Sequence, residues 1–118
     1  MIKKLNDTNA EEITRPIFES IHSSYANSNY QSLIGNNFSE KMKEDLTEEV
    51  FEEAIQKYYS KYGGLVEMTF LGYVDRDVGH QVLWKCKYNE NTEEVLWHVF
   101  FSKDNSERHE VVGLWFGY

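Results

Sequence analysis

The chain has 118 residues, 41% of them hydrophobic and 15% aromatic, and a formal net charge of −8. That length fits one domain with a core that needs no covalent staples, and the lone Cys86 excludes an intramolecular disulfide. The acidic balance repels phosphate backbones and argues against nucleic acid as a partner, while no stretch approaches the roughly 18 apolar residues of a membrane span.

The amino-terminal run "MIKKLNDTNAEE" turns polar at once and lacks the apolar centre of a signal peptide, so a cytoplasmic protein is expected. Within it, "TNAE" (Thr8 to Glu11) has the form of a capping box and predicts a helix start. Ile13, Ile17, Ile21 and Tyr25 then recur every fourth residue as one apolar stripe. Pro16 has no amide hydrogen to give to a helix. Either the helix kinks there, or it starts at Thr14 with Pro16 in its first turn. The polar stretch "SSYANSNYQSLIGNNF" ends it.

A second helix is predicted from about Asp45 to Tyr62, with a cap in "DLTE" and a short helix in "SEKMKEDL" before it. Its apolar face is Val50, Phe51, Ala54, Ile55, Tyr58, Tyr59 and Tyr62, and Gly63–Gly64 supplies the glycine that favours a helix end. Beyond Gly64 the apolar period changes from helical to alternating. Strands are predicted at 65–75, 80–89, 93–103 and 109–118, separated by the turns "RDVG", "NENT" and "DNSE". Helices followed by a meander of strands predict an α+β fold, with N-terminal helices packed on a curved four-stranded antiparallel sheet.

With Glu90 and Asn91 at the centre of the second hairpin, Trp84 faces Trp97, Val82 faces Val99 and Cys86 faces Val95 on one side. Lys87 then meets Glu94, Lys85 meets Leu96, and Leu83 meets His98 on the other. A slip of one residue would mix an apolar face with a charged one. The aromatic face is expected beneath the helices. His98 therefore lies on the mixed face with Leu83, Leu96 and Phe100, which form a candidate dimer surface.

A helical first half, a tyrosine-rich helix closed by glycine and a meander ending in "VVGLWFGY" together resemble the nuclear-transport-factor-like superfamily of cone-shaped α+β domains. The likeness covers nearly the whole chain and lies in element order and patterning. It implies a sheet wrapped around a long helix, a pocket at the open end of the cone, and dimers through the sheet. It also implies a choice of functions, from isomerases and dehydratases to bare binding domains and immunity proteins of toxin systems, so fold does not settle activity. The isomerases of this superfamily set an aspartate base against a tyrosine and a protonated acid. Asp75 and Asp77 fall in a turn, and the facing of Glu67 depends on the first hairpin's register.

No catalytic set emerges. His22, His80, His98 and His109 have no paired-ligand spacing and there is no second cysteine, so neither metal nor cofactor is expected. The alternating acids of "DRDVG" lack the later ligands of a calcium loop, and His80 and His109 beside turns read as solvated. Cys86 reads as a packing residue. The distinctive charge feature is "EDLTEEVFEE", with Glu44, Asp45, Glu48, Glu49, Glu52 and Glu53. Acids in a first helical turn answer the helix dipole, whereas Glu52 and Glu53 lie beyond it and repel their neighbours.

Two functional expectations follow. One is a non-enzymatic module whose acidic run docks onto a basic protein, in its most concrete form an immunity protein neutralising a cationic toxin. The other is a small-molecule pocket protein or isomerase-like enzyme, with Tyr62, Trp84, Trp97 and Trp115 lining the cone.

Overall fold

The computed structural model describes residues 2–104 and 107–118. Part of the "DNSE" turn therefore lies outside the described residues. The elements are helices α1 (Ala10–Ala26), α2 (Tyr30–Ile34), α3 (Glu40–Asp45) and α4 (Glu48–Lys57), a 3-10 turn (Tyr59–Lys61), and strands β1 (Leu65–Arg76), β2 (Gly79–Tyr88), β3 (Val95–Phe101) and β4 (Val111–Gly117). The strands form one antiparallel sheet in the order β1-β2-β3-β4, with the helices packed on one face. This is the expected α+β arrangement.

Helix α1 starts one residue later than the Thr8 cap predicts. Asn6 Oδ1 accepts the amides of Thr8 (2.8 Å) and Asn9 (3.0 Å), and Asn9 Oδ1 accepts the amide of Asn6 (2.8 Å). This reciprocal asparagine pair holds Thr8 in the preceding turn and leaves Asn9 at the cap position. The helix is continuous across Pro16, so the later start at Thr14 is not adopted. Its buried residues are Ala10, Thr14, Phe18, Ile21, His22, Ser24 and Tyr25, while Ile13 and Ile17 sit at the margin. The stripe is rotated because Phe18 and Tyr25 carry the large rings that fill the space above the sheet.

The short helix expected in "SEKMKEDL" and the cap expected in "DLTE" are both present, as α3 and as Thr47 before α4. Ser39 Oγ caps α3 through the Met42 amide at 3.0 Å, and Thr47 Oγ1 caps α4 through the Val50 amide at 3.3 Å. A residue serving as an N-cap adopts extended backbone, so Thr47, at φ −76 and ψ 166, separates α3 from α4. The helix predicted to reach Tyr62 ends earlier, at Tyr58, which leaves it at φ −127 and ψ −64. That turn sends Tyr59 and Tyr62 into the core and leaves Tyr58 58% exposed. Gly63 follows at φ +84, and a Cβ there would lie 2.2 Å from Asn89 Oδ1. The predicted glycine requirement thus has two causes: handedness, and the approach of Asn89, whose carbonyl also accepts the Gly64 amide at 3.0 Å.

In the central hairpin Trp84 pairs with Trp97, Val82 with Val99, Cys86 with Val95 and Leu83 with His98, as the alternation predicts. The ladder ends at Cys86–Val95, so the expected Lys87–Glu94 pair does not form. Glu94 instead reaches Lys85 at 3.3 Å, and Lys87 lies opposite Glu67 of β1. On the covered face Phe18 stacks on Trp84 at 4.9 Å, and Phe116 stacks on Trp97 at 4.4 Å. Phe18, Trp84 and Trp97, with Val82, Val95, Val99 and Phe101, are sealed from solvent, and Phe116 is half-buried against them. At full burial each large side chain contributes about 1.5–3 kcal/mol of transfer free energy.

Candidate functional site

The acidic run occupies the end of α3 and the face of α4 turned away from Phe51, the buried anchor of that helix. Glu44, Asp45, Glu48, Glu49, Glu52 and Glu53 are all exposed. Two have cations on their own helices: Asp45 with Lys41 at 3.3 Å, and Glu53 with Lys57 at 2.7 Å. The Lys57 hydrogen bond holds the Glu53 carboxyl below the usual carboxylate range. Among the described residues Glu44, Glu48, Glu49 and Glu52 make no ion pair. Glu48 and Glu49 lie in the first turn, where the helix dipole favours them by about 0.3–1 kcal/mol each. Glu52 and Glu53 have no such support, and the spacings Glu48–Glu52 and Glu49–Glu53 are repulsive.

Beside this surface runs a groove of about 470 Å³ between α3–α4 and β4. Tyr25, Met42, Leu46 and Ala54 line its inner side, and Val50 and Tyr58 stand at its mouth, 47% and 58% exposed. The apolar positions that the helical pattern assigned to the core are therefore shared. Phe51, Tyr59 and Tyr62 are buried, whereas Val50 and Tyr58 face the groove.

The four residues proposed to line a pocket do not meet around one. Tyr62, Trp84 and Trp97 are packed within the ring cluster, and Trp115 lies across the sheet from Trp97, opposite His98. Strand parity explains the correction: Phe116 takes the covered position beside Trp97, so its neighbour Trp115 points the other way. Trp115 does line the α4–β4 groove. Trp84 Nε1 is a buried donor with no hydrogen-bond partner among the described residues.

His98 sits on the uncovered face, half-buried, with Trp115 edge-on at 5.0 Å. Its Nδ1 is 2.7 Å from Gln81 Nε2, while Gln81 Oε1 accepts from Arg76 Nε. Because the Gln81 oxygen is committed to Arg76, its amide donates to His98, which carries its own proton on Nε2. Burial and the nearby Arg76 guanidinium lower the His98 pKa. Its partner is an amide, not a carboxylate. Leu83, Leu96 and Phe100 are likewise half-buried around it, on the face without helices.

His80 is buried at 3% exposure, against the expectation of a solvated residue. Tyr73 covers it, with its hydroxyl 2.6 Å from His80 Nδ1. His109 is half-buried, Glu67 is exposed on β1, and Asp75 pairs with Lys103. Among the described residues no group of three His, Cys, Asp or Glu side chains is placed to hold a metal, and no helix is long and apolar enough to cross a membrane.

The sequence reading missed one buried polar cluster. Trp97 Nε1 donates to the Tyr88 hydroxyl at 3.1 Å, Tyr88 meets His22 Nε2 at 2.7 Å, and the Tyr59 hydroxyl approaches the same nitrogen at 3.3 Å. Burial brings His22 down to about 4 and pushes Tyr59 and Cys86 up to about 12. These groups are neutral at ordinary pH and act as packing elements with satisfied polar ends. Compared with protein-family models, curated proteins and solved structures, the chain shows no match.

Proposed function

We propose that the protein is a non-enzymatic binding module of the nuclear-transport-factor-like kind, whose α3–α4 surface docks onto a basic protein. The observation that carries this reading is the exposed, unpaired set Glu44, Glu48, Glu49 and Glu52 on helices tied to the core by Met42 and Phe51. Acids kept in a repulsive arrangement cost stability, and a cationic partner relieves that cost on binding. Complementary charge also accelerates capture and excludes like-charged competitors. The most concrete form is a cytoplasmic immunity protein that covers the cationic site of a toxin.

The test is capture from native lysate with the wild-type chain and with Glu48, Glu49, Glu52 and Glu53 all changed to glutamine. The reading predicts basic proteins recovered by the former and depleted about tenfold with the latter. Equal recovery removes this surface from the account.

A pocket reading keeps one specific support, the α4–β4 groove, which Trp115 lines, since Trp84 and Trp97 lie in packed core. We further propose that the half-buried outer face around Leu83, Leu96, His98 and Phe100, flanked by Trp115 at 50% exposure, joins two copies of the chain.

A further inference from the structure

The groove beside α4 has an unusual wall. Five consecutive residues of β4, Val112 to Phe116, line it. Successive strand residues point to opposite faces of a sheet, so a lining that includes all five belongs to neither face. It runs along the strand's edge, where the backbone itself is exposed to whatever occupies the groove.

That edge is already used at one end. Asn37–Ser39 lies parallel to β4: the Val111 amide donates to Asn37 O at 2.8 Å, and the Ser39 amide donates to Val111 O at 2.9 Å. The chain then turns into α3 and leaves the edge. From Gly113 to Gly117 no backbone hydrogen bond is made on the side away from β3 among the described residues. In an antiparallel ladder, alternate residues direct both their N–H and C=O toward one neighbour. Val111 points outward, and Phe101, its partner on β3, marks the same phase. Counting back along β3 through Val99 and Trp97, their partners Leu114 and Phe116 are the residues with outward backbone groups. Both line the groove.

A free strand edge bordered by a long apolar groove is the geometry of strand addition, in which main-chain hydrogen bonds supply affinity and alternate side chains enter the groove. The other components fit such an occupant. Val50 and Ala54 on α4, with Tyr58 just past its end, stand opposite the edge and offer apolar surface to an occupant. Tyr25, 3% exposed, lines the inner side. The rim is acidic: Asp45 lines the groove, and Glu49 and Glu53 immediately precede Val50 and Ala54.

We infer that an extended segment of a partner protein, carrying apolar side chains and at least one lysine or arginine, adds to β4 as a fifth strand. Its backbone pairs with Leu114 and Phe116, its apolar side chains enter the groove, and its cation meets the Asp45–Glu49–Glu53 rim. The charge of this occupant rests on the acidic-surface reading above, whereas the strand edge does not.

The probe is a library of random peptides displayed on phage and selected on the whole chain, with hydrogen exchange read residue by residue for the peptides recovered. In the free protein the Leu114 and Phe116 amides should exchange faster than those of Gly113, Trp115 and Gly117. A selected peptide should carry lysine or arginine among apolar residues and slow Leu114 and Phe116 by about tenfold or more, leaving Trp115 unchanged. Val50→Glu, at an exposed position, should weaken binding about tenfold without altering the fold by circular dichroism. Failure to recover any peptide, or protection of other amides by those recovered, overturns strand addition and leaves the acidic-surface reading standing. Protection of Leu114 and Phe116 that rises with protein concentration and needs no peptide overturns the partner in favour of a second copy. Peptides that protect these amides but bind the four-glutamine variant equally well overturn the charge assignment here and in the acidic-surface reading together.

Discussion

The Tyr88 hydroxyl lies 2.7 Å from His22 Nε2 and joins α1 to β2 through the middle of the core. Tyr88 also accepts the Trp97 indole proton, and the Tyr59 hydroxyl approaches the same imidazole nitrogen at 3.3 Å. Burial strips water from the charged imidazole, and this desolvation brings His22 down to about 4.

The consequence is a stability that depends on pH. In the unfolded chain the imidazole titrates near its ordinary value of 6.5, so between pH 6.5 and 4 the unfolded state binds more protons than the folded one. Stability is complete above this window and falls as pH drops through it, by up to about 3 kcal/mol from His22. His80, His98 and His109, also lowered by burial, act in the same direction. Glu53 and Asp75, held low by Lys57 and Lys103, extend the loss to lower pH. Urea denaturation at pH 7 and pH 4.5 checks this. His22→Phe should be less stable at pH 7, where it removes one of the two hydrogen-bond partners of the Tyr88 hydroxyl, yet show a shallower pH dependence.

The two layers meet through rings, so truncating one should be costly. Phe18 stacks on Trp84 at 4.9 Å and meets Trp97 edge-on at 5.6 Å, with no exposed surface of its own. Phe18→Ala should cost about 3–5 kcal/mol. Thermal melts would show it, and a loss under about 1 kcal/mol would mean that the site collapses onto the deletion.

Two glycines should respond oppositely to alanine. Gly63 sits at φ +84 with Asn89 Oδ1 2.2 Å from any added Cβ, whereas Gly72 on β1 has nothing within 4 Å. Gly63→Ala should destabilise by about 1–3 kcal/mol from backbone strain, with the Asn89 clash adding to it. Gly72→Ala should be neutral or stabilise by about 0.4–1 kcal/mol through the unfolded state. Chemical denaturation of the two variants side by side separates the cases.

The outer sheet face yields a prediction about assembly. Phe100 lies over Gly113, and the Trp115 ring lies over Gly117, each in a gap that glycine leaves on β4. If this face joins two copies, wild-type chain should sediment as a dimer at high concentration, and Phe100→Glu should sediment as a monomer. A monomeric wild type at the same concentration removes the dimer.

How much of this was legible in the sequence depended on range. The Trp84–Trp97 register could be read because both strands alternate strictly and a short turn joins them, so local pattern and tertiary pairing agree. Thr47 was readable as a cap and α3 as a short helix before it, but the break at Tyr58 was not, because Tyr58, Tyr59 and Tyr62 continue the helical pattern. The His22–Tyr88 contact spans 66 residues, and nothing in either neighbourhood announces the other. His80 looked solvated beside its turn, since only the folded sheet brings Tyr73 over it. Trp115 was misplaced for a simpler reason: in "GLWFGY" two large rings are adjacent, and parity allows one of them beneath the helices. Phe116 took that place. The strand-edge groove was invisible because sequence shows that β4 is a strand, not that one side of it stays unpaired.

The most direct measurement concerns rate. With the partner recovered by the wild-type chain in hand, its association should be followed at about 50 mM and about 500 mM salt, for wild type and for the variant with glutamine at 48, 49, 52 and 53. Electrostatic docking on α3–α4 predicts a wild-type rate about tenfold slower at the higher salt, and a variant that is already slow and nearly independent of salt. Equal rates and equal salt dependence in the two proteins would contradict the proposal that these acids receive the partner.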